Sequence, residues 1–215
     1  LQRMERIWRN SGTADALVAA VKEEAKAMAE EDVNRCLRIG EHGASLVGNG
    51  DRILTHCNAG GLACVEHGTA VGVIRSAFRQ GKDIFVYATE TRPLLQGARL
   101  TAYELKAEGI PFKLITDSMV AYVMQQGQVN KVIVGADRIL RTGHVVNKIG
   151  TYAASLAAKK HGVPFYVAAP LSTFDPLTSI ESVVIERRGE KEVLFLEGRR
   201  IAPLGVTALN PAFDI

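Results

Sequence analysis

Two side chains combine a reactive type with a placement where chemistry is done. Cys57 closes the run RILTHC at 52–57 and is followed by Asn58, Ala59, Gly60 and Gly61. A thiol at a strand end close to a helix start would face oriented backbone N–H groups that lower its pKa. The same placement also suits a packed, inert cysteine. Asp137 follows KVIVGA at 131–136 and precedes Arg138. A carboxylate there can serve as a general acid or base, or as a helix cap or ion-pair partner of Arg138. With Arg138 pointing elsewhere, a closed site would raise the Asp137 pKa.

Candidates for holding an anion lie nearby in the pattern. Arg92 and Gln96 stand at i, i+4 of an expected helix, with Gly97 and Arg99 beside them. Asn147 and Lys148 precede Ile149 and Gly150 at an expected helix start, where a lysine and free backbone N–H groups form a generic phosphate cradle. Arginine adds bidentate phosphate contacts. Taken singly, each of these reads first as ordinary surface charge; together, at neighbouring strand ends, they point to a phosphorylated ligand.

The elements that must position these residues alternate. Residues 13–47 have helical apolar spacing, with Thr13 as cap; Gly40 and Gly43 weaken the pattern after residue 34, where a kink or second helix is expected. Short apolar runs then alternate with helical segments. The predicted strands are 52–57, 83–89, 111–116, 131–136 and 164–169; the predicted helices are 66–80, 92–108, 118–126 and 148–161, stopped by Gly81, Gly109, Gly127 and Gly162. Residues 183–197 could add a hairpin. Repeated strand–helix–glycine–strand units predict an α/β fold with a doubly wound, mainly parallel, Rossmann-like sheet preceded by a helical segment. The division expected is 1–50, a helical segment left from an N-terminal domain, and 51–215, a Rossmann-like catalytic domain. Ligands of such sheets bind beyond the carboxyl ends of the strands. Those ends here read THCNAGG, TETRP, TDS, GADRI and APLSTFD.

Composition excludes several classes. The chain has 215 residues, 47% hydrophobic and 23% charged, with a net charge of +3 and no run of like charge. That suits an ordinary globular protein and a small anionic ligand, and argues against a nucleic-acid stripe. No stretch of about 18 apolar residues is present to span a membrane. The three cysteines, Cys36, Cys57 and Cys64, have neither disulfide-framework nor zinc spacing. They imply a reducing, cytoplasmic setting. Cys36 reads as packed in a helix, and the histidines His56, His67, His144 and His161 lack metal spacing. Dinucleotide, Walker and HExxH motifs are missing, so neither metal nor organic cofactor is expected. The opening LQRMERIWRN and the apolar close NPAFDI read as cuts through a longer chain.

The strings ILTHCNAG, HGTAVGVIRSA, ETRPLLQGARLTAYEL, VIVGADRI, NKIGTY, PFYVAAPLSTFD and NPAFD together resemble the 5-methylthioribose-1-phosphate isomerase family. That family belongs to a wider group with the regulatory subunits of translation initiation factor 2B and the ribose-1,5-bisphosphate isomerases. The resemblance covers nearly all of residues 30–215 in order. It implies that Cys57 and Asp137 are the catalytic pair of an aldose–ketose isomerase of methionine salvage. It implies that Gln96, Asn147 and Lys148, with Asn58, Gly60 and Arg92 beside them, bind a sugar phosphate. It also implies a homodimer. Two departures stand out. The family's N-terminal Arg-Gly-Ala-Pro-like phosphate loop has no counterpart here, and Cys64-Val65-Glu66 replaces small or aromatic residues after the cysteine loop. A bisphosphate isomerase, or a regulatory protein that binds without turnover, is the alternative.

Overall fold

The computed structural model describes residues 2–10 and 12–215. Two helices come first, α1 (Gln2–Asn10) and α2 (Ala14–Ala44). The Thr13 side chain accepts the Ala16 amide at 3.3 Å and so starts α2. No kink follows residue 34: α2 runs unbroken to Ala44. Its glycines are there for spacing. A Cβ on Gly40 would stand 2.6 Å from His67 Nε2, and one on Gly43 would overlap the Val73 methyls. The two glycines let α2 lie directly on the next helix, which outweighs their poor helix propensity.

The α/β part follows in order: β1 (Asp51–Thr55), α3 (Ala70–Arg79), β2 (Ile84–Thr89), α4 (Ala102–Ala107), β3 (Phe112–Ile115), α5 (Val120–Gln125) and β4 (Lys131–Val134). It continues with β5 (Arg138–Leu140), β6 (Val145–Lys148), α6 (Thr151–His161), β7 (Phe165–Val167), β8 (Phe174–Asp175), α7 (Lys191–Leu194), β9 (Phe195–Leu196), β10 (Arg199–Arg200) and β11 (Phe213–Asp214). Strands β3-β2-β1-β4-β7 form one five-stranded sheet, parallel at every pairing. Both faces are covered. Ile53 and Val86 point to a cluster with Val71, Ile74 and Leu105; Leu54 and Tyr87 point to one with Val123, Ala154 and Ala158. Burial on both sides explains why the strands read as unbroken apolar runs. The strand order reverses direction between β1 and β4, and the crevice above that point is where such sheets bind ligands.

Three expectations are corrected. The expected helix starts not at 148 but at Thr151, and the segment after β4 that precedes it is not plain loop. It folds as a second sheet, β11-β6-β5-β8, in which β5 and β6 make an antiparallel hairpin and β11 pairs antiparallel with β6. Residues 183–194 form no hairpin; the short one present joins β9 to β10. Residues 92–108 are not one helix. Thr91 and Leu95 have positive φ, so helix begins only at 96, with a π-helical stretch over Gly97–Thr101 before α4. Pro93 removes a donor and biases Arg92 away from helical angles. Asp117 then takes the Thr91 and Arg92 amides at 2.8 and 2.7 Å.

Candidate active site

The two residues singled out by type meet at the crevice. Cys57 follows β1, Asp137 follows β4, and both line one cavity of about 260 Å³. Asn58, Asn147 and Lys148 share that wall, and Asp32, Cys36 and Cys64 form another part of it. Arg92, Gln96 and Gly60 do not line it. The Arg92 guanidinium instead donates to the carbonyls of Pro93 and Val193, each at 2.9 Å. Arg92 and Gln96 therefore share no helical face. Gln96 Oε1 is buried and has no hydrogen-bond partner among the described residues. Gly60 keeps room for a neighbour: any Cβ there would collide with the Glu104 carboxylate.

Cys57 is held in the left-handed region at φ 65° by bonds on both sides of its peptide. Its N–H donates to Thr91 Oγ1 at 2.9 Å, and its carbonyl accepts from Thr101 Oγ1 at 2.6 Å. Below it His56 is buried, bonded through Nε2 to the Ile149 carbonyl at 2.8 Å and through Nδ1 to Thr89 Oγ1 at 2.7 Å. A carbonyl only accepts, so Nε2 carries the proton and Nδ1 accepts from Thr89. Burial lowers the His56 pKa and keeps the ring neutral.

The Cys57 thiol is pushed above its ordinary value, first by burial and then by Asp137 and Asp117; the Asn58 amide and Lys148 oppose this. This reverses the expectation of a lowered pKa. The helical turn after the cysteine is three residues long, Gly61–Ala63, and its amides are already taken. Gly61 N and Leu62 N donate to Glu104 at 2.7 and 3.3 Å. Glu104 also accepts from Asn58 Nδ2 at 2.9 Å and pairs with buried Arg75 at 2.9 Å. It thereby ties the whole cysteine loop to α4.

Asp137 is exposed on the cavity side, and desolvation by the surrounding walls still raises its pKa, against Lys148 and Arg188. Arg138 leaves it free for this by turning to Asp175 at 3.6 Å. Lys148 is buried, with Nζ 4.6 Å from the centre of the Phe213 ring. Asn147 is aimed by its bond to Thr151 Oγ1 at 2.9 Å. The phosphate cradle expected at the start of α6 is filled from within. Asp214 takes the Gly150 and Tyr152 amides at 2.7 and 3.0 Å. What remains for an anion is the Lys148 ammonium itself, the one cation among the described residues lining the cavity.

Residues 1–215 match the initiation factor 2 subunit family from end to end. The chain belongs to that family. Among its relatives, the methylthioribose-1-phosphate isomerase of Fervidobacterium nodosum is 52% identical over 216 residues, covering all of this chain and 62% of the relative. The solved 5-methylthioribose 1-phosphate isomerase of Pyrococcus horikoshii OT3 superposes with a TM-score of 0.92 at 44% identity, over 99% of this chain and 60% of the other. The solved translation initiation factor eIF-2B subunit delta of A. fulgidus superposes with a TM-score of 0.91 at 54% identity, over 99% and 62%. The chain thus spans about three fifths of the length of these family members. Members named as enzymes and as initiation factor subunits share this fold, so function has to be argued from the site.

Glu104, Thr91, Thr101, Asp214, Phe213 and Arg188 escaped the sequence reading as site residues. Most stand in strings that carry the family resemblance, ETRPLLQGARLTAYEL and NPAFD, where only Arg92 and Gln96 drew a role. Arg188, in the charged run ERRGEK, gave no signal at all.

Proposed function

We propose that this chain carries the catalytic centre of an aldose–ketose isomerase that converts 5-methylthioribose 1-phosphate to 5-methylthioribulose 1-phosphate in methionine salvage. The observation that carries this is the placement of Cys57 and Asp137 on one cavity across the β1–β4 switch point, with Lys148 and Asn147 beside them. A protein that only binds a ligand has no need of that pair.

A sugar phosphorylated at C1 is a closed acetal, and isomerisation starts by opening it. Asp137, whose pKa desolvation raises, acts as the general acid that delivers a proton to the ring oxygen as the C1–O bond breaks. The hydrogen on C2 then moves to C1, and the C2 hydroxyl returns a proton to Asp137 as the carbonyl forms. Protons and electrons balance without any other reactant. Cys57 is a poor base while its pKa is raised, which favours movement of the C2 hydrogen as a hydride past a neutral thiol that packs against the sugar. Lys148 meets the phosphate, and Asn58 and Asn147 meet hydroxyls.

One cation at the cavity also favours a singly phosphorylated substrate over a ribose bisphosphate. Arg138 is paired with Asp175, and Arg188, the further cation facing Asp137, is engaged by Glu186 at 3.0 Å. The unpaired cysteines suit the cytoplasm, and the open edge of β7 suits a homodimer.

The test is ketose formation from 5-methylthioribose 1-phosphate, with Cys57→Ser and Asp137→Asn beside the parent chain. Turnover lost in both variants is expected. Turnover retained in Asp137→Asn, or a parent that acts on ribose 1,5-bisphosphate instead, overturns the proposal. A substrate deuterated at C2 should keep its label at C1; exchange with solvent would refute the hydride route.

A further inference from the structure

The cavity has a second chemical group that this mechanism does not use. Asp32 and Cys36 lie one helical turn apart on α2, and Cys64 lies on the loop after Cys57. One carboxylate oxygen and the two sulfurs all lie within 4.8 Å of one another. Each of the three side chains lines the cavity wall. Asp32 is already oriented, since its Oδ2 accepts the Val65 amide at 3.0 Å and stands 4.0 Å from Cys36 Sγ. This amide bond ties the loop to α2 and fixes the carboxylate facing the sulfurs. A coordination tetrahedron with bonds of about 2.0–2.3 Å has edges of about 3.3–3.8 Å, so Asp32 and Cys36, 4.0 Å apart, draw together by side-chain rotation to grip an ion. Three ligands come from the protein, and the fourth position faces the cavity.

We infer that Asp32, Cys36 and Cys64 form a binding site for a thiophilic divalent cation such as Zn2+ or Cd2+ on the wall of the cavity that holds Cys57 and Asp137. The site has the ligand chemistry of soft metals, two thiolates and a carboxylate, in a setting without strong competing cations. Burial, the neighbouring thiol and Asp32 push the Cys64 pKa up to about 12, and burial and Asp32 raise that of Cys36. Both are thiols in the metal-free chain. Binding therefore exchanges two thiol protons for one dication, and both protons go to solvent. The bound group carries one net negative charge. Affinity accordingly rises about a hundredfold per pH unit through the neutral range, two protons being released per ion. A cation there narrows the cavity and adds a Lewis-acidic open position to it. The expected consequence is inhibition of turnover by such ions, separate from any need of the reaction for metal.

The experiment is titration of the full chain with Cd2+, following the thiolate-to-metal charge-transfer absorbance in the ultraviolet. One equivalent should bind. Cys36→Ser and Cys64→Ser should each lose about half of the band and most of the affinity, while Cys57→Ser, the third cysteine on the same cavity, should keep both. Asp32→Asn supplies a variant that leaves the sulfurs in place; it should keep the band and bind at least tenfold more weakly. Circular dichroism establishes that each variant is folded. No band at one equivalent, a band that survives both Cys36→Ser and Cys64→Ser, or a band lost in Cys57→Ser would overturn the inference. These readouts do not depend on catalysis, so failure of the isomerase reading leaves them unaffected.

Discussion

Replacing Glu104 with alanine tests whether one buried carboxylate holds the loop after Cys57. Glu104 and Arg75 have side chains only 6% exposed, and their oxygen and nitrogen are 2.9 Å apart. Removing one partner of a buried pair leaves an uncompensated charge and costs about 3–5 kcal/mol. Arg75 would keep Glu108 at 3.0 Å and the His67 carbonyl, which places the loss near the lower bound. Against that, the Gly61 and Leu62 amides lose their acceptor, and Asn58 Nδ2 keeps only Thr101 Oγ1 at 3.1 Å. A loss of about 3 kcal/mol in a chain of this size lowers Tm by roughly 6–12 °C. Calorimetry and urea unfolding measure it. Glu104→Gln, which keeps an acceptor oxygen but not the charge, should fall between parent and alanine variant. Turnover should drop further than stability alone explains, because Asn58 and the Gly61–Leu62 turn after Cys57 lose the carboxylate that holds them. A Tm change under about 2 °C, or turnover untouched in a folded Glu104→Ala, would refute the reasoning.

Four further outcomes are expected. Gly43→Ala should destabilise by about 1–2 kcal/mol despite the better helix propensity of alanine, because the new methyl meets Val73; adding Val73→Ala should recover part of the loss in urea midpoint. His56 has a folded pKa below its ordinary 6.5, so the unfolded chain binds its proton first and stability should fall as pH drops below 6.5; a folded His56→Asn should lose that slope. Asp51 behaves in the usual carboxylate sense. Burial would raise its pKa, but Lys131, the Gly48 amide and Asn130 outweigh this and hold it low, so its share of stability should be lost only below pH 3.8. Alkylation of Cys57 by iodoacetamide should be slower than that of a free thiol and should still be rising at pH 9.0; a plateau below that value would contradict its burial.

By itself the sequence determined the layered α/β plan, because strands buried on two faces and glycine-stopped helices leave a direct apolar pattern. The strand ends came with it. Cys57 and Asp137 could be named because ligands of such sheets bind beyond the carboxyl ends of the strands, where both residues fall. Pattern failed where a tertiary contact outweighed local preference. Gly40 and Gly43 look like breaks yet serve the approach of α3 to an unbroken α2. Arg92 and Gln96 have helical spacing, but Pro93 and the hold of Asp117 on two amides take them off a common face.

Electrostatics was the part that sequence position could not decide. Whether Cys57 is a thiolate depends on which groups reach its amides and its sulfur. Glu104, 47 positions away by number, claims the turn amides, and burial then raises the pKa. The start of α6 looked open to phosphate until Asp214, brought in by pairing of β11 with β6, closed it. Cys36 and Cys64 have no metal spacing along the chain, and only the packing of α2 against the cysteine loop sets their sulfurs beside Asp32. Local periodicity encodes which face of an element is buried. It does not encode which distant side chain arrives there, and hydrogen bonds and charges depend on that arrival.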